Sequence, residues 1–295
     1  MRRKIIKQGL SSLTISLPTT WTKKFNLKPG DEIEVIDKGK ELLIQTERIF
    51  TSKKTLMDVS GLNKSMIRNY INAAYIRGDD ELKITFNDHD LMDVIQECID
   101  FNIGFAVVEQ CRNYCVIKDL SGTSASEFDN MLKRVFYMIM SFGDEGLEML
   151  KKKEPLKDFW KRDLSIDKYI FYCLRVLNKK GHPDFEKTSL YHNTLLLLEH
   201  LSDEYNRLYR YLKNPSLCSG TIKMFEDVNQ MFKDFFKLFY KFDKNKAQEL
   251  LQEKRRIREG SFQTKNQNEM VVIYYLRKIV EMIINILQIE MQMVL

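Results

Sequence analysis

The sequence predicts a multi-domain α+β protein: a small N-terminal β-module, a small βαβαββ middle domain and a C-terminal all-α bundle. Three observations carry this reading. Short apolar–polar alternations with turn signals occupy residues 1–50, strand and helix signals alternate over 51–122, and from 123 to 295 the apolar residues recur at helical spacing. With 295 residues and 44% hydrophobic content the chain can fill several cores, and 5 prolines and 12 glycines exclude a disordered or low-complexity chain.

In the first segment Leu13, Ile15 and Leu17 alternate with Thr14 and Ser16 as a half-buried strand that Pro18 ends, and Trp21 to Phe25 leaves room for one short helix. Lys28-Pro29-Gly30-Asp31 is a turn. Ile33 and Val35 start a strand, Asp37 to Gly39 turns the chain, and Leu42 to Ile44 returns it. A unit of this size cannot bury a good core alone and is expected to dimerise. In the second segment, Thr55–Val59, Leu82–Phe86, Phe105–Val108 and Tyr114–Ile117 read as strands. Asn63–Ile76, with a stripe through Met66, Tyr70 and Ala73 or Ala74, and Asp90–Cys98 read as helices. The third segment gives six helices. Phe128, Leu132, Val135, Ile139 and Phe142 form one apolar face, and similar stripes run through Ile166–Leu177, Leu190–Leu212, Ile222–Phe242, Ala247–Ile257 and Met270–Met293. Asn214-Pro215 divides them three and three, into 123–214 and 215–295, and antiparallel packing is the natural arrangement.

The net charge of +6 is modest, but its distribution is uneven. Arg2, Arg3, Lys4, Lys7, Lys23, Lys24 and Lys28 precede the first acid, Asp31. Lys7, Gln8 and Ser11 interrupt any apolar signal core, and the late apolar stretch from Val271 to Leu276 runs into Arg277 and Lys278, so neither a targeting segment nor membrane insertion is expected. Five scattered cysteines fit reduced thiols in a cytoplasm. Cys111 and Cys115 flank a hairpin turn at Arg112-Asn113 and, with no second ligand pair in range, are expected as buried apolar cysteines rather than a metal pair.

Lys7-Gln8-Gly9-Leu10-Ser11-Ser12, Thr14-Ile15-Ser16-Leu17-Pro18, Trp21, Lys23-Lys24 and Leu27-Lys28-Pro29-Gly30-Asp31-Glu32-Ile33 together resemble the AbrB/MazE/SpoVT family of DNA-binding domains. The resemblance implies a swapped-hairpin β-barrel built by two chains, with basic strand and loop residues facing DNA. Leu198-Glu199-His200-Leu201-Ser202-Asp203, with Asp163 and Asp167 on the preceding helix, resembles PhoU, the phosphate-uptake regulator, a pair of three-helix repeats. In this order the domains resemble the AbrB–PhoU fusion regulators of archaea.

The DNA-binding candidates are Arg2, Arg3, Lys4, Lys7, Lys23 and Lys24, which neutralise phosphates, and Ser11, Ser12 and Thr14, whose hydroxyls reach phosphate or base edges. The competing reading is a solvated charged face on a dimerisation module, as in antitoxin-like or adaptor proteins. Asp163 and Asp167 share one helix face, as do Glu199 and Asp203, so neighbouring helices could converge four carboxylates on a hard cation or an iron-type centre. The PhoU resemblance implies metal at these four positions. The alternative is a wet acidic face paired with Arg162, Arg175 or Arg207. In the second repeat Arg277 replaces a carboxylate and is expected to pair with Glu249 and Glu253, which argues against a second metal site.

No enzyme is expected. His89, His182, His192 and His200 lack metal-ligand spacing, none adjoins a plausible nucleophile, and Glu199 and His200, as adjacent helix positions, are not expected to face each other. The sequence thus points to a cytoplasmic, homodimeric, DNA-binding transcriptional regulator of phosphate uptake or homeostasis with a PhoU-like sensor domain. Its partners are then duplex DNA and a phosphate transporter or signalling protein. The alternative is an accessory protein of phosphate transport or signalling that acts through helix contacts.

Overall fold

The computed structural model describes residues 2–9, 11–37, 41–46, 53–88, 90–122, 125–156, 158–212, 217–260 and 266–295. Leu10, the turn residues Lys38 and Gly39, His89 and the Asn214-Pro215 break lie outside them. The chain divides into two compact units, Met1–Lys53 and Lys54–Leu295.

The first unit holds two separate antiparallel hairpins, β1 (Ile6–Gln8) with β2 (Ser12–Thr14) and β3 (Glu34–Asp37) with β4 (Leu42–Gln45), and the helix α1 (Thr19–Lys24). The strand expected through Leu17 stops at Thr14, and it pairs with a strand that the sequence reading missed. Gly9, at φ +72°, makes the reversal between them. The Lys28–Asp31 turn forms as expected: Gly30 takes φ +96°, and the Asp31 carboxylate accepts from the Lys28 amide at 2.8 Å. Leu13 is not half-buried but 69% exposed, because one chain supplies no second layer to cover it. Among the described residues of the single chain the two hairpins share no sheet, and the barrel that the resemblance implies takes two chains.

The second unit begins with a four-stranded sheet. Its strands are β5 (Lys54–Asp58), β6 (Glu81–Thr85), β7 (Phe105–Gln110) and β8 (Tyr114–Asp119), in the order β5-β6-β8-β7. Only β5 and β6 run parallel, joined by α2 (Lys64–Arg77), while α3 (Leu91–Phe101) connects β6 to β7. Asn63 caps α2 by accepting from the Met66 amide at 2.9 Å, and Gly78 ends it at φ +90°. The buried stripe of α2 is Ile67, Ile71, Ala74 and Tyr75, one position on from the expected one; Met66, Tyr70 and Ala73 face outward. Cys115 is buried in β8 as expected, but Cys111 ends the β7 side of the turn in the open. All five cysteines are free thiols.

Six helices follow: α4 (Phe128–Lys152), α5 (Trp160–Lys180), α6 (Thr188–Tyr211), α7 (Ser219–Tyr240), α8 (Lys244–Glu259) and α9 (Gln267–Val294). Helices α4, α5 and α6 pack on one another, as do α7, α8 and α9, and the two sets join along α4–α7 and α6–α9. All five residues of the expected α4 stripe are buried. Close approach is needed on this helix: a Cβ on Gly146 would fall 2.2 Å from the Tyr209 ring, whose hydroxyl donates to the Phe142 carbonyl at 3.0 Å.

The sheet layer and the bundle keep separate apolar clusters, bridged by Ile76 and Phe171. Their joint is polar. Arg175 of α5, with no solvent exposure, donates to the carbonyls of Tyr75 (2.6 Å) and Asp79 (2.7 Å) and to Asp119 (2.8 Å), and it lies 4.8 and 5.1 Å from the ring centroids of Tyr75 and Phe105. Burial pushes the Asp119 carboxyl up, but Arg175 and Ser121 hold it below its ordinary value. Arg175→Leu, which leaves a buried carboxylate without its main partner, is expected to cost about 3–5 kcal/mol. Asp119→Asn on that background should recover part of the loss. Urea unfolding checks both; a loss from Arg175→Leu under about 1 kcal/mol would place the joint elsewhere.

Candidate functional site

The N-terminal unit carries the first candidate site. In the β1–β2 hairpin Lys7 lies opposite Leu13, Gln8 opposite Ser12 and Ile6 opposite Thr14, whose hydroxyl donates to the Ile6 carbonyl at 3.2 Å. Strand alternation therefore puts Lys7 and Leu13 on one face and Ser12 and Thr14 on the other, with Ser11 in the turn between the strands. Lys23 and Lys24 ride on the last turn of α1, where cations suit the helix dipole. The hairpin thus gathers Lys7, Ser11, Ser12 and Thr14, preceded by the arm Arg2-Arg3-Lys4, whereas Lys23 and Lys24 belong to a different element.

Arg2, Arg3, Lys4, Lys7, Lys23 and Lys24 are all exposed, and among the described residues none forms an ion pair. Ser11 and Ser12 are exposed and Thr14 is half-buried. No described residue of this unit is buried, and Ile5, Ile6, Leu13, Ile15, Val35, Leu42 and Leu43 present apolar surface to solvent.

The second candidate lies between α5 and α6. Asp163 and Asp167 on α5 face Glu199 and Asp203 on α6 closely enough that neighbouring carboxylates help to raise Asp163, Asp167 and Glu199. Asp163 is 4% exposed. One of its oxygens accepts from Asn206 Nδ2, while its Oδ1, like Asp167 Oδ1, is buried with no hydrogen-bond partner among the described residues. Burial raises the Asp163 carboxyl, and Asn206 opposes the rise. Burial, then the neighbouring carboxylates, pushes Asp167 up to about 9. Glu199 is raised by burial and by Asp203.

The arginines proposed as partners for this face divide. Arg207 binds Asp203 (2.6 Å) and Glu204 (2.5 Å), but Arg162 binds Glu145 (2.5 Å) and Arg175 is committed to the sheet layer. Contrary to the expectation for adjacent positions, His200 Nε2 lies 3.4 Å from Glu199 Oε2. Asn206 was missed, although its spacing from Glu199 and Asp203 puts it on their face of α6. The donor chemistry of the cluster suits a hard cation. The spacing does not: among the described residues, no three His, Cys, Asp or Glu side chains stand close enough together to hold a metal ion. In the other helix set Arg277 donates to the Gly260 carbonyl (3.2 Å), Arg256 holds Glu253 (2.5 Å) and Lys254 holds Glu281 (2.7 Å).

Residues 6–50 match the family described as antidote-toxin recognition MazE, bacterial antitoxin. The match covers the hairpins and α1, so the N-terminal unit is similar to a DNA-binding or antitoxin-type module; it does not reach the helical bundle. Neither the curated proteins nor the solved structures gave a match. Among the described residues no helix is long and apolar enough to cross a membrane.

Asp167 yields a pH-dependent outcome. Its folded-state pKa is raised, so it costs the fold nothing below the unfolded value near 4 and progressively more as pH rises toward 9. In chelator-treated protein, Asp167→Asn should raise Tm by on the order of 5 °C at pH 8 and by little at pH 4. A gain that is equal at both pH values, or a loss at pH 8, would contradict the burial of a shared charge here.

Proposed function

We propose that the protein is a dimeric, DNA-binding transcriptional regulator. One observation carries the reading: six exposed cations that form no ion pair among the described residues, on an acid-free stretch that leads into a module similar to MazE. Exposed cations with no acidic neighbour bind phosphate by releasing its counterions, and a dimer doubles the number presented. The uncovered apolar side chains of the same module support dimerisation, since a second copy can bury them. The regulated process in this reading is phosphate uptake or homeostasis, with the helical bundle as a PhoU-like sensor or partner-binding domain. Its support is the resemblance around Glu199 and Asp203 and the carboxylates that gather between α5 and α6.

A second reading keeps the dimer but gives its surface to a protein, as the antitoxin description of the matching family and the exposed Ile5, Ile6 and Leu13 favour. Salt dependence separates the two. If the dimer meets about 6–10 phosphates, affinity for duplex DNA should fall ~10³–10⁵-fold between roughly 50 and 200 mM salt. The triple change Arg3→Ala, Lys4→Ala, Lys7→Ala should flatten that slope. An unchanged slope moves the DNA face elsewhere, and no binding to duplex DNA at low salt favours the protein-binding reading.

The metal reading rests on Asp163, Asp167, Glu199 and Asp203 and would need these side chains to draw closer around the ion. Oxygen donors favour iron, manganese, magnesium or calcium over zinc. Elemental analysis of protein purified without chelator or affinity tag should find one of these in the wild type. Glu199→Ala with Asp203→Ala should lose it while the helical signal is retained. Metal-free wild type after replete growth, or equal metal in the double variant, overturns the site.

A further inference from the structure

The two edges of the middle sheet are built differently. β7 is blunted: a bulge interrupts its register between Val107 and Glu109, and it ends in the polar Glu109 and Gln110. β5 keeps an unbroken register with β6, and among the described residues no strand pairs with its outer side. The phase of its ladder is fixed. Val59 N donates to the Thr85 carbonyl at 2.9 Å, and Asp58 sits opposite Thr85. In a parallel pair the residues that flank such a position carry the bonds, so Thr55, Met57 and Val59 turn their peptide groups toward β6. Lys54, Leu56 and Asp58 therefore turn theirs to the open edge. Their side chains stand on the sheet face away from α2 and α3, and Leu56 at the centre is 72% exposed.

The strand is also self-complementary. Lys54-Thr55-Leu56-Met57-Asp58 has a cation at one end, an anion at the other and an apolar residue midway. An inverted copy meets opposite charges at both ends, whereas a parallel copy in register meets like charges. We propose that β5 pairs antiparallel with β5 of a second copy of this chain, in register centred on Leu56. Lys54 of each copy then lies opposite Asp58 of the other, and two four-stranded sheets become one. All three opposed pairs are of the hydrogen-bonded kind, about six main-chain bonds with Cα atoms ~5.5 Å apart. Five residues a side make a weak contact alone. The pairing therefore rests on the dimer proposed above, whose module directly precedes β5 in the chain and raises the effective concentration of the strands into the mM range.

Disulfide trapping in the full chain tests this, with the exposed Cys111 and Cys218 first changed to serine. Leu56→Cys should cross-link to itself under mild oxidation, since a Cα separation of ~5.5 Å is within disulfide range. Lys54→Cys alone should cross-link at least ~10-fold more slowly, because the two positions are then about 14 Å apart along the strands. Co-expressing the Lys54→Cys and Asp58→Cys chains should restore the fast rate. Lys54→Asp or Asp58→Lys on the Leu56→Cys background should slow trapping, and both together should recover it. Sedimentation of the wild type separates the failures. A dimer whose Leu56→Cys form does not cross-link, or whose Lys54→Cys form cross-links as fast, overturns the strand pairing alone. A monomer at micromolar concentration overturns the pairing and the dimer together.

Discussion

A guanidinium with no access to water ties the sheet layer to the helical bundle. The buried charge of Arg175 must be met inside the protein, and it is met by two main-chain carbonyls and the Asp119 carboxylate. This fixes more than one pair. Tyr75 and Asp79 lie at the end of α2 and just beyond it, and Asp119 ends β8, so a single side chain sets where α2 and the sheet stand relative to α5. Asn178, which donates to the Ile76 carbonyl at 2.9 Å, and Lys168, which donates to the Asp100 carbonyl at 2.8 Å, extend the same contact along the helix.

This face of α5 also shows where the sequence could and could not be read. The six bundle helices and the βαβαββ order were legible because burial there follows apolar periodicity, as Leu132, Val135 and Ile139 illustrate. The docking stripe Lys168, Phe171, Arg175, Asn178 was not, since three of its four residues are polar and read as solvent-facing. On α2 the type of element was clear but its phase was not: Met66 and Tyr70 are as apolar as the buried Ile67 and Ile71, and only the packed layer decides between them. β1 was hidden because Ile5 and Ile6 sit among Arg2, Arg3, Lys4 and Lys7, with no alternation to mark a strand. At the candidate sites, the residue types and the helix faces were readable. The diversion of Arg162 and Arg175 to other partners depends on tertiary packing alone; Asn206 shares a helix face with Glu199 and Asp203, but its hold on Asp163 is a contact between helices.

The two charged features of the chain differ in what they ask of a partner. The cations of the N-terminal unit are hydrated, and binding a polyanion costs them little desolvation, so ionic strength governs the exchange. Asp163, Asp167 and Glu199, between α5 and α6, have already lost much of their water. They are stabilised by a proton or a cation, and that demand is set by burial rather than by salt. The two charged features thus lie in different surroundings, one at the surface and one inside.

Helix α5 carries both ends of a second relation. Asp163 and Asp167 stand near its start and Arg175 eight residues beyond Asp167, about 12 Å along a continuous helix. In mechanical terms α5 is a shared beam: the carboxyl cluster and the joint that Arg175 makes with the sheet layer are carried on one continuous helix, which sets their spacing along it.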